Sequence, residues 1–181
     1  MPLASLPPEF LLRPITTADE DAVKHLTVDT LAEFGYYEDC PANDPELAHM
    51  AYYVAENPQA EYYVIEHQPT KTVVGCGGFE PLKGYPAHRQ NAVCELIKFY
   101  VKEGFRRQGL GCVLLQHALQ RATTLGFHSM YYEVTPQLFS QGLFERHGFY
   151  FLPEKLGANG HVHPEINIFV IKPLQAPITS D

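Results

Sequence analysis

One stretch, residues 93–126, restricts the folds open to this chain more than any other. Val93 to Val101 is rich in β-branched and aromatic residues and reads as a strand. A short loop carrying Arg106, Arg107, Gln108, Gly109, Leu110 and Gly111 follows. From Gly109 to Leu125, Leu115, Ala118, Leu119, Ala122 and Leu125 recur at helical spacing, and Gly126 closes the run. A strand, a glycine loop and an amphipathic helix in direct succession are an anion cradle. N–H groups at the helix N-terminus point outward, the macrodipole favours negative charge, and glycines let a ligand come close to the backbone. Arg106 and Arg107 add cationic donors for a phosphate. The bare Arg/Gln-x-x-Gly-x-Gly pattern is short, and with glycine at about 7% of residues it arises by chance in roughly one such sequence in ten. Its position between strand and helix is what gives it weight. Gly111 is followed by Cys112, which excludes a Walker loop, and Leu114 stands where a dinucleotide fingerprint needs its third glycine.

The remaining elements fall around this unit. Phe10 to Ile15 reads as a strand. Thr17 with Glu20 forms a capping box for a helix whose apolar stripe is Val23, Leu26, Thr30, Leu31 and Phe34, stopped by Gly35. Asp44-Pro45 starts a second helix with Leu47, Met50, Ala51 and Val54, ended by Asn57-Pro58. Glu61 to His67 and Thr72 to Phe79 form a hairpin, and Gly75, Gly77 and Gly78 in its second arm mark a bulge or a close backbone approach. Phe127 to Thr135 is a strand, Leu138 to His147 a short helix, and strands begin at Phe149 and near Glu165. The order β-α-α-β-β-β-α-β-α-β-β describes the α/β (α+β) class, with a mixed, mostly antiparallel sheet.

Composition narrows the function. The 181 residues are enough for one domain, 1–181, with a core that needs no staples. The net charge of −8 argues against nucleic acid and anionic membranes as partners. No apolar run is long enough to span a bilayer, and no secretory signal is visible, which points to a cytoplasmic protein. The cysteines, Cys40, Cys76, Cys94 and Cys112, lack metal-ligand spacing and read as reduced, packed thiols.

Several motifs in order make the chain resemble the GNAT superfamily of acyl-CoA-dependent N-acetyltransferases. They are Leu12-Arg13-Pro14-Ile15 before an Asp-rich helix start, Val74-Gly75-Cys76-Gly77-Gly78, the strand from Glu95 with its Arg-x-x-Gly-x-Gly loop, and the segment from Gly142 to Phe149 with its Gly148-Phe149 step. The resemblance implies a central sheet of about six to seven strands flanked by about four helices, with the fourth and fifth strands splayed. It implies acetyl-CoA as co-substrate and no metal. Backbone groups of Phe99, Tyr100 and Val101 would pair with the pantetheine arm. The loop from Arg106 through Arg107, Gln108, Gly109 and Leu110 to Gly111 would hold the pyrophosphate.

The reaction needs a proton acceptor, and Glu95 is the candidate general base. It is expected on one strand face with Val93, Ile97, Phe99 and Val101, where an apolar setting raises its proton affinity. The bland reading pairs it with Lys98 or leaves it at a sheet edge. The tyrosine that this superfamily usually places four residues before the Gly-Phe step is Phe144 here. Tyr132, Tyr131 or Tyr150 would then have to protonate the leaving thiolate, or it leaves unprotonated.

Glu33, Tyr36 and Tyr37, after the first helix, would contact the acceptor or merely cap the helix. His161 and His163 share a strand parity without a third ligand, so His161 reads as a residue of the acceptor mouth. In strand doublets such as Tyr62-Tyr63 and Tyr131-Tyr132, one ring should face the core and the other outward, and an exposed ring would support a homodimer. The function expected is acetylation of a primary amine of a small molecule or amino acid. The alternatives are a peptide or protein N-acetyltransferase, or a non-catalytic acyl-CoA sensor, which Phe144 favours. Residues 1–60 carry a net charge of −9 and residues 61–120 carry +2. The acidic third is where this superfamily builds its acceptor side, so a cationic amine is expected.

Overall fold

Arg13 and Asp19 fix how the chain enters its first helix. The computed structural model describes residues 5–36, 45–84, 93–156 and 168–174. Strand β1 (Phe10–Pro14) carries Arg13 one residue before its end, and the guanidinium meets both Asp19 carboxylate oxygens at 2.7 and 2.8 Å and Glu66 at 3.0 Å. Asp19 also accepts from the Thr16 backbone N–H and hydroxyl, at 2.8 and 2.7 Å. The capping box is therefore Thr16 with Asp19, one residue before the Thr17–Glu20 box expected from sequence. Arg13 settles the register, because only Asp19 reaches it from inside the turn. A 3-10 turn, Thr17–Asp19, leads into α1 (Glu20–Glu33), and Gly35 ends it at φ 86°, in the left-handed region.

Glu20 is thereby released for another task. Its carboxylate accepts from the backbone N–H groups of Ala51 and Tyr52, at 3.1 and 3.4 Å. This caps α3 (Met50–Ala55), which is separate from α2 (Pro45–Ala48). The single second helix of the sequence reading is thus two, broken at His49 (φ −138°, ψ 45°), and the described helices number five. Leu47 and Met50 are buried as expected. Phe34 departs from the expected stripe and is exposed, with Thr27 taking an inward place beside Val23, Leu26 and Thr30.

The other elements are β2 (Glu61–His67), β3 (Thr72–Pro81), β4 (Val93–Val101), α4 (Leu110–Thr124), β5 (Ser129–Val134), α5 (Gln141–Arg146), β6 (Tyr150–Phe151) and β7 (Ile168–Pro173). The seven strands order as β1-β2-β3-β4-β5-β7-β6. β4 and β5 are parallel, whereas β1 with β2, β5 with β7 and β6 with β7 are antiparallel. The parallel register runs from Val93↔Ser129 to Glu95↔Tyr131, so the C-terminal half of β4 continues beyond it.

By internal contacts the chain divides into two compact units, Met1–Gly78 with Lys98–Gln116, and Phe79–Ile97 with His117–Asp181. In the first, Phe10, Tyr63, Ile65, Val74, Leu110 and Leu114 form a core against which Phe99, Val101 and Phe105 pack. Each such side chain contributes about 1.5–3 kcal/mol by leaving water. In the second, Leu82, Val93, Tyr131 and Ile171 cluster, with Leu152, Leu156 and Phe169 around them. The strand doublets Tyr62-Tyr63 and Tyr131-Tyr132 are buried at both members, not at one. Tyr63 joins the core that α4 covers, while the Tyr62 hydroxyl donates to the Lys98 carbonyl at 2.9 Å. Tyr131 joins Ile171, while Tyr132 stacks on Phe144 of α5. These strands are packed on both faces, so alternation has no outward side to use.

The glycine cluster of β3 is a close approach. A Cβ at Gly77 would stand 2.9 Å from the Phe99 ring, and one at Gly78 would stand 2.2 Å from the Glu61 carbonyl oxygen. Only hydrogen fits at either place.

Candidate active site

β4 carries four of the expected site residues, Glu95, Phe99, Tyr100 and Val101, and its pleat breaks once. The Leu82 N–H donates to the Val93 carbonyl, and the Lys102 N–H donates to the Val74 carbonyl. Eight residues separate the two β3 positions and nine separate the two β4 positions, so β4 holds one extra residue. Lys98, at φ 45°, is that bulge. Its carbonyl is taken by the Tyr62 hydroxyl at 2.9 Å and approached by the Cys76 thiol at 3.7 Å. The bulge corrects the expectation of one apolar face. Val93 belongs to the cluster of Leu82 and Tyr131, whereas Phe99 and Val101 belong to that of Leu110 and Leu114. An inserted residue shifts the two-residue period by one, a change no reading of alternation foresees.

After β4 the chain makes a 3-10 turn, Glu103–Phe105, which Phe105 anchors edge-on to Phe10 at 6.1 Å. Arg107 (φ 65°) and Gly109 (φ 83°) are both left-handed, and α4 begins at Leu110. Arg107, Gln108 and Gly109 are exposed, and Leu110 is buried beneath them. Two left-handed residues with one residue between them, just before a helix N-terminus, are the kind of backbone that turns N–H groups outward, as the expected anion cradle requires. A left-handed non-glycine residue costs roughly 1–2 kcal/mol, so Arg107 is held in a shape the loop requires. The residues present suit a polyanion: an exposed guanidinium, an open glycine, and the N-terminus of a long helix.

Arg106 faces elsewhere. Its Nε donates to the Val101 carbonyl at 2.7 Å, its terminal nitrogen stands 2.7 Å from the Glu33 carboxylate, and its guanidinium carbon lies 5.7 Å from the centre of the Phe34 ring. The contact with Glu33 is an ion pair whose N–H is out of line with the oxygen. Glu33 and Arg106, expected at the acceptor and at the pyrophosphate respectively, are thus partners of one another. Tyr36 is buried. Tyr37, His161 and His163 lie outside the described residues, as does Cys40.

In the second unit Glu95 is buried, with 7% of its surface exposed. Burial pushes its carboxyl from the ordinary 4.5 up to about 8, with Glu133 and Glu80 adding to the rise and Lys83 and Lys155 opposing it. Sequence reasoning missed these four. Glu80 pairs with Lys83 at 3.3 Å, and Glu133 pairs with Lys155 at 3.5 Å and accepts from the Tyr131 hydroxyl at 3.1 Å. The Leu156 N–H donates to that same hydroxyl at 3.3 Å. The signal was a single carboxylate inside each of two apolar strands, after Phe79 and before Val134. On the opposite side of β5, Tyr132 stacks on Phe144 with ring centres 4.9 Å apart, and Phe139 and Phe149 complete the aromatic group around Phe144. Phe144 is fully buried, filling a tyrosine's place with carbon alone. Cys76, raised to about 11, and Cys94, also raised, are buried thiols that remain protonated.

A seven-stranded mixed sheet with one parallel pair, and a glycine loop opening a long helix, are the frame that carries these side chains. The model of the acetyltransferase (GNAT) family matches residues 26–149, and the chain belongs to that family. It is an N-acetyltransferase. It is 32% identical over 165 residues to the uncharacterized N-acetyltransferase YjgM of Escherichia coli (strain K12), covering 90% of this chain and 95% of that one. Its fold is similar to that of a GNAT-family acetyltransferase from Staphylococcus aureus Mu50 (TM-score 0.79, 14% identity, 92% of this chain and 99% of that one). It is similar as well to a GNAT superfamily phosphinothricin acetyltransferase from Sinorhizobium meliloti in complex with acetyl-CoA (TM-score 0.70, 22% identity, 96% and 92%). Among the described residues no helix is long and apolar enough to cross a membrane, and no group of His, Cys, Asp and Glu is placed to hold a metal ion.

Proposed function

We propose that this chain, working as one domain, transfers the acetyl group of acetyl-CoA to the primary amine of a small molecule or amino acid, with Glu95 as general base. The observation that carries this reading is the buried Glu95 carboxyl, whose affinity for a proton is matched to an amine near neutral pH. The amine nitrogen attacks the thioester carbonyl. Glu95 takes its proton, and the tetrahedral intermediate collapses with cleavage of the carbon–sulfur bond. The CoA thiolate leaves, and Tyr132 is the proposed donor to it. Backbone groups of Phe99, Tyr100 and Val101 bind the pantetheine, and the loop from Arg107 to Gly111 binds the pyrophosphate. Glu33, Tyr36, Tyr37 and His161 border the acceptor, and the excess acid of residues 1–60 favours a cationic one.

Thiol release from acetyl-CoA across a panel of small amines, amino acids and peptides tests this reading. Turnover with a small amine that falls at least 100-fold in Glu95→Gln supports it. Full activity in that variant removes Glu95 as base, and preference for peptides removes the small-molecule acceptor.

A further inference from the structure

Glu95 does not sit alone on its sheet face. The Leu82–Val93 hydrogen bond sets Leu82 opposite Val93, and the two-residue period then sets Glu80 of β3 opposite Glu95 of β4. On the other side, Glu95 pairs in register with Tyr131 of β5, and Glu133 follows two residues on, on the same face. Side chains so placed lie about 4.5–8 Å apart at Cβ. Three adjacent strands therefore present three buried carboxyl groups in a row. The outer two each have a lysine, Lys83 for Glu80 and Lys155 for Glu133, and Glu133 also holds the Tyr131 hydroxyl. From β7 the facing residues are Phe169 and Ile171, which bring no charge.

We propose that Glu80 and Glu133 are positioning residues of the acetyl transfer: held by Lys83 and Lys155 on either side of Glu95, they place carboxylate charge against it and favour its holding a proton. The inference rests on Glu95 acting as base. A carboxyl set between two others is pushed toward its protonated form, and Lys83 and Lys155 oppose that push. Lys155 lies outside the strands, after β6, and its side chain is part-exposed, so substitution there changes the charge beside Glu133 without altering a strand residue.

The experiment is a pH titration of glutamate side-chain carboxyl carbons by NMR, with the highest-pH midpoint assigned by its loss in Glu95→Gln. Glu80→Gln and Glu133→Gln should each lower that midpoint by about one pH unit. Lys155→Met should raise it, and being half-exposed this lysine serves where a buried variant fails to fold. Midpoints that stay at the wild-type value in all three variants, or that all move one way, overturn the proposal. The acidic limb of kcat/KM, measured beside the titration, separates this from the base assignment. If the midpoints shift in opposite directions while the limb stays fixed, the positioning holds and Glu95 is not the base.

Discussion

The Arg106 guanidinium and the Glu33 carboxylate stand 2.7 Å apart, joining the last residue of α1 to the loop that opens α4. With its Nε on the Val101 carbonyl, Arg106 ties together the end of β4, the end of α1 and the loop. Arg107, the next residue, is exposed.

The two arginines should therefore separate by experiment. Arg107→Ala should raise the Kd of acetyl-CoA several-fold and flatten its dependence on ionic strength, with Tm unchanged. Arg106→Ala should lower stability by about 1–2 kcal/mol through the lost ion pair and hydrogen bond. Calorimetry and thermal melts on both variants check this; equal loss of salt dependence would contradict it.

Glu95 makes stability depend on pH. Its folded proton affinity, raised to about 8, exceeds the ordinary 4.5 of the unfolded chain. Between those values the folded state holds a proton that the unfolded state lacks, so stability falls as pH rises through the window. Glu95→Gln removes this cost. It should melt higher than the wild type at pH 8, by on the order of 3 kcal/mol, and about equally at pH 4. Denaturant titrations at the two pH values decide it.

Asp19 works with the opposite sign. Arg13 and then Thr16 draw its carboxyl down to about 2 from 3.8. Its stabilisation is present above 3.8 and is lost as pH falls toward 2. Asp19→Asn should cost about 2–3 kcal/mol at pH 7 and little at pH 2, because it breaks the Arg13 pair and weakens the cap together.

Tyr132 and Phe144 test the proton donor. Tyr132→Phe keeps the stacked pair and should leave Tm within about 1 kcal/mol, while kcat falls at least 10-fold. Single-turnover kinetics would show whether the loss lies in thiolate release.

Gly78→Ala should cost about 3 kcal/mol or more, since its Cβ would meet the Glu61 carbonyl and the Tyr62 backbone inside a ladder that has no room to move. Gly104→Ala meets nothing within 4 Å and should be close to neutral.

The elements themselves are legible in the chain because their signals are local. The strand from Val93 to Val101, the helix after Gly109, the hairpin around Lys71 and the stops at Gly35, Gly126 and Gly148 stand where period and glycine place them. The glycine loop was readable for the same reason, since a helix N-terminus and its preceding glycine are neighbours in sequence. What failed depended on partners far along the chain. Thr16 rather than Thr17 caps the turn that leads into α1 because Arg13 claims Asp19, and α3 starts where it does because Glu20, some thirty residues earlier, reaches its first N–H groups.

The sequence by itself determined a GNAT-like order of strands and helices, a glycine loop opening the long helix and one carboxyl inside β4. Only the tertiary structure decided that Arg106 belongs to Glu33, that an extra residue at Lys98 divides β4 between two cores, and that Glu95 lies in a row with Glu80 and Glu133. The physical reason is range. Propensity, capping and periodicity act over a few residues, whereas an ion pair, a bulge register and the field of neighbouring carboxylates exist only once separate strands stand side by side.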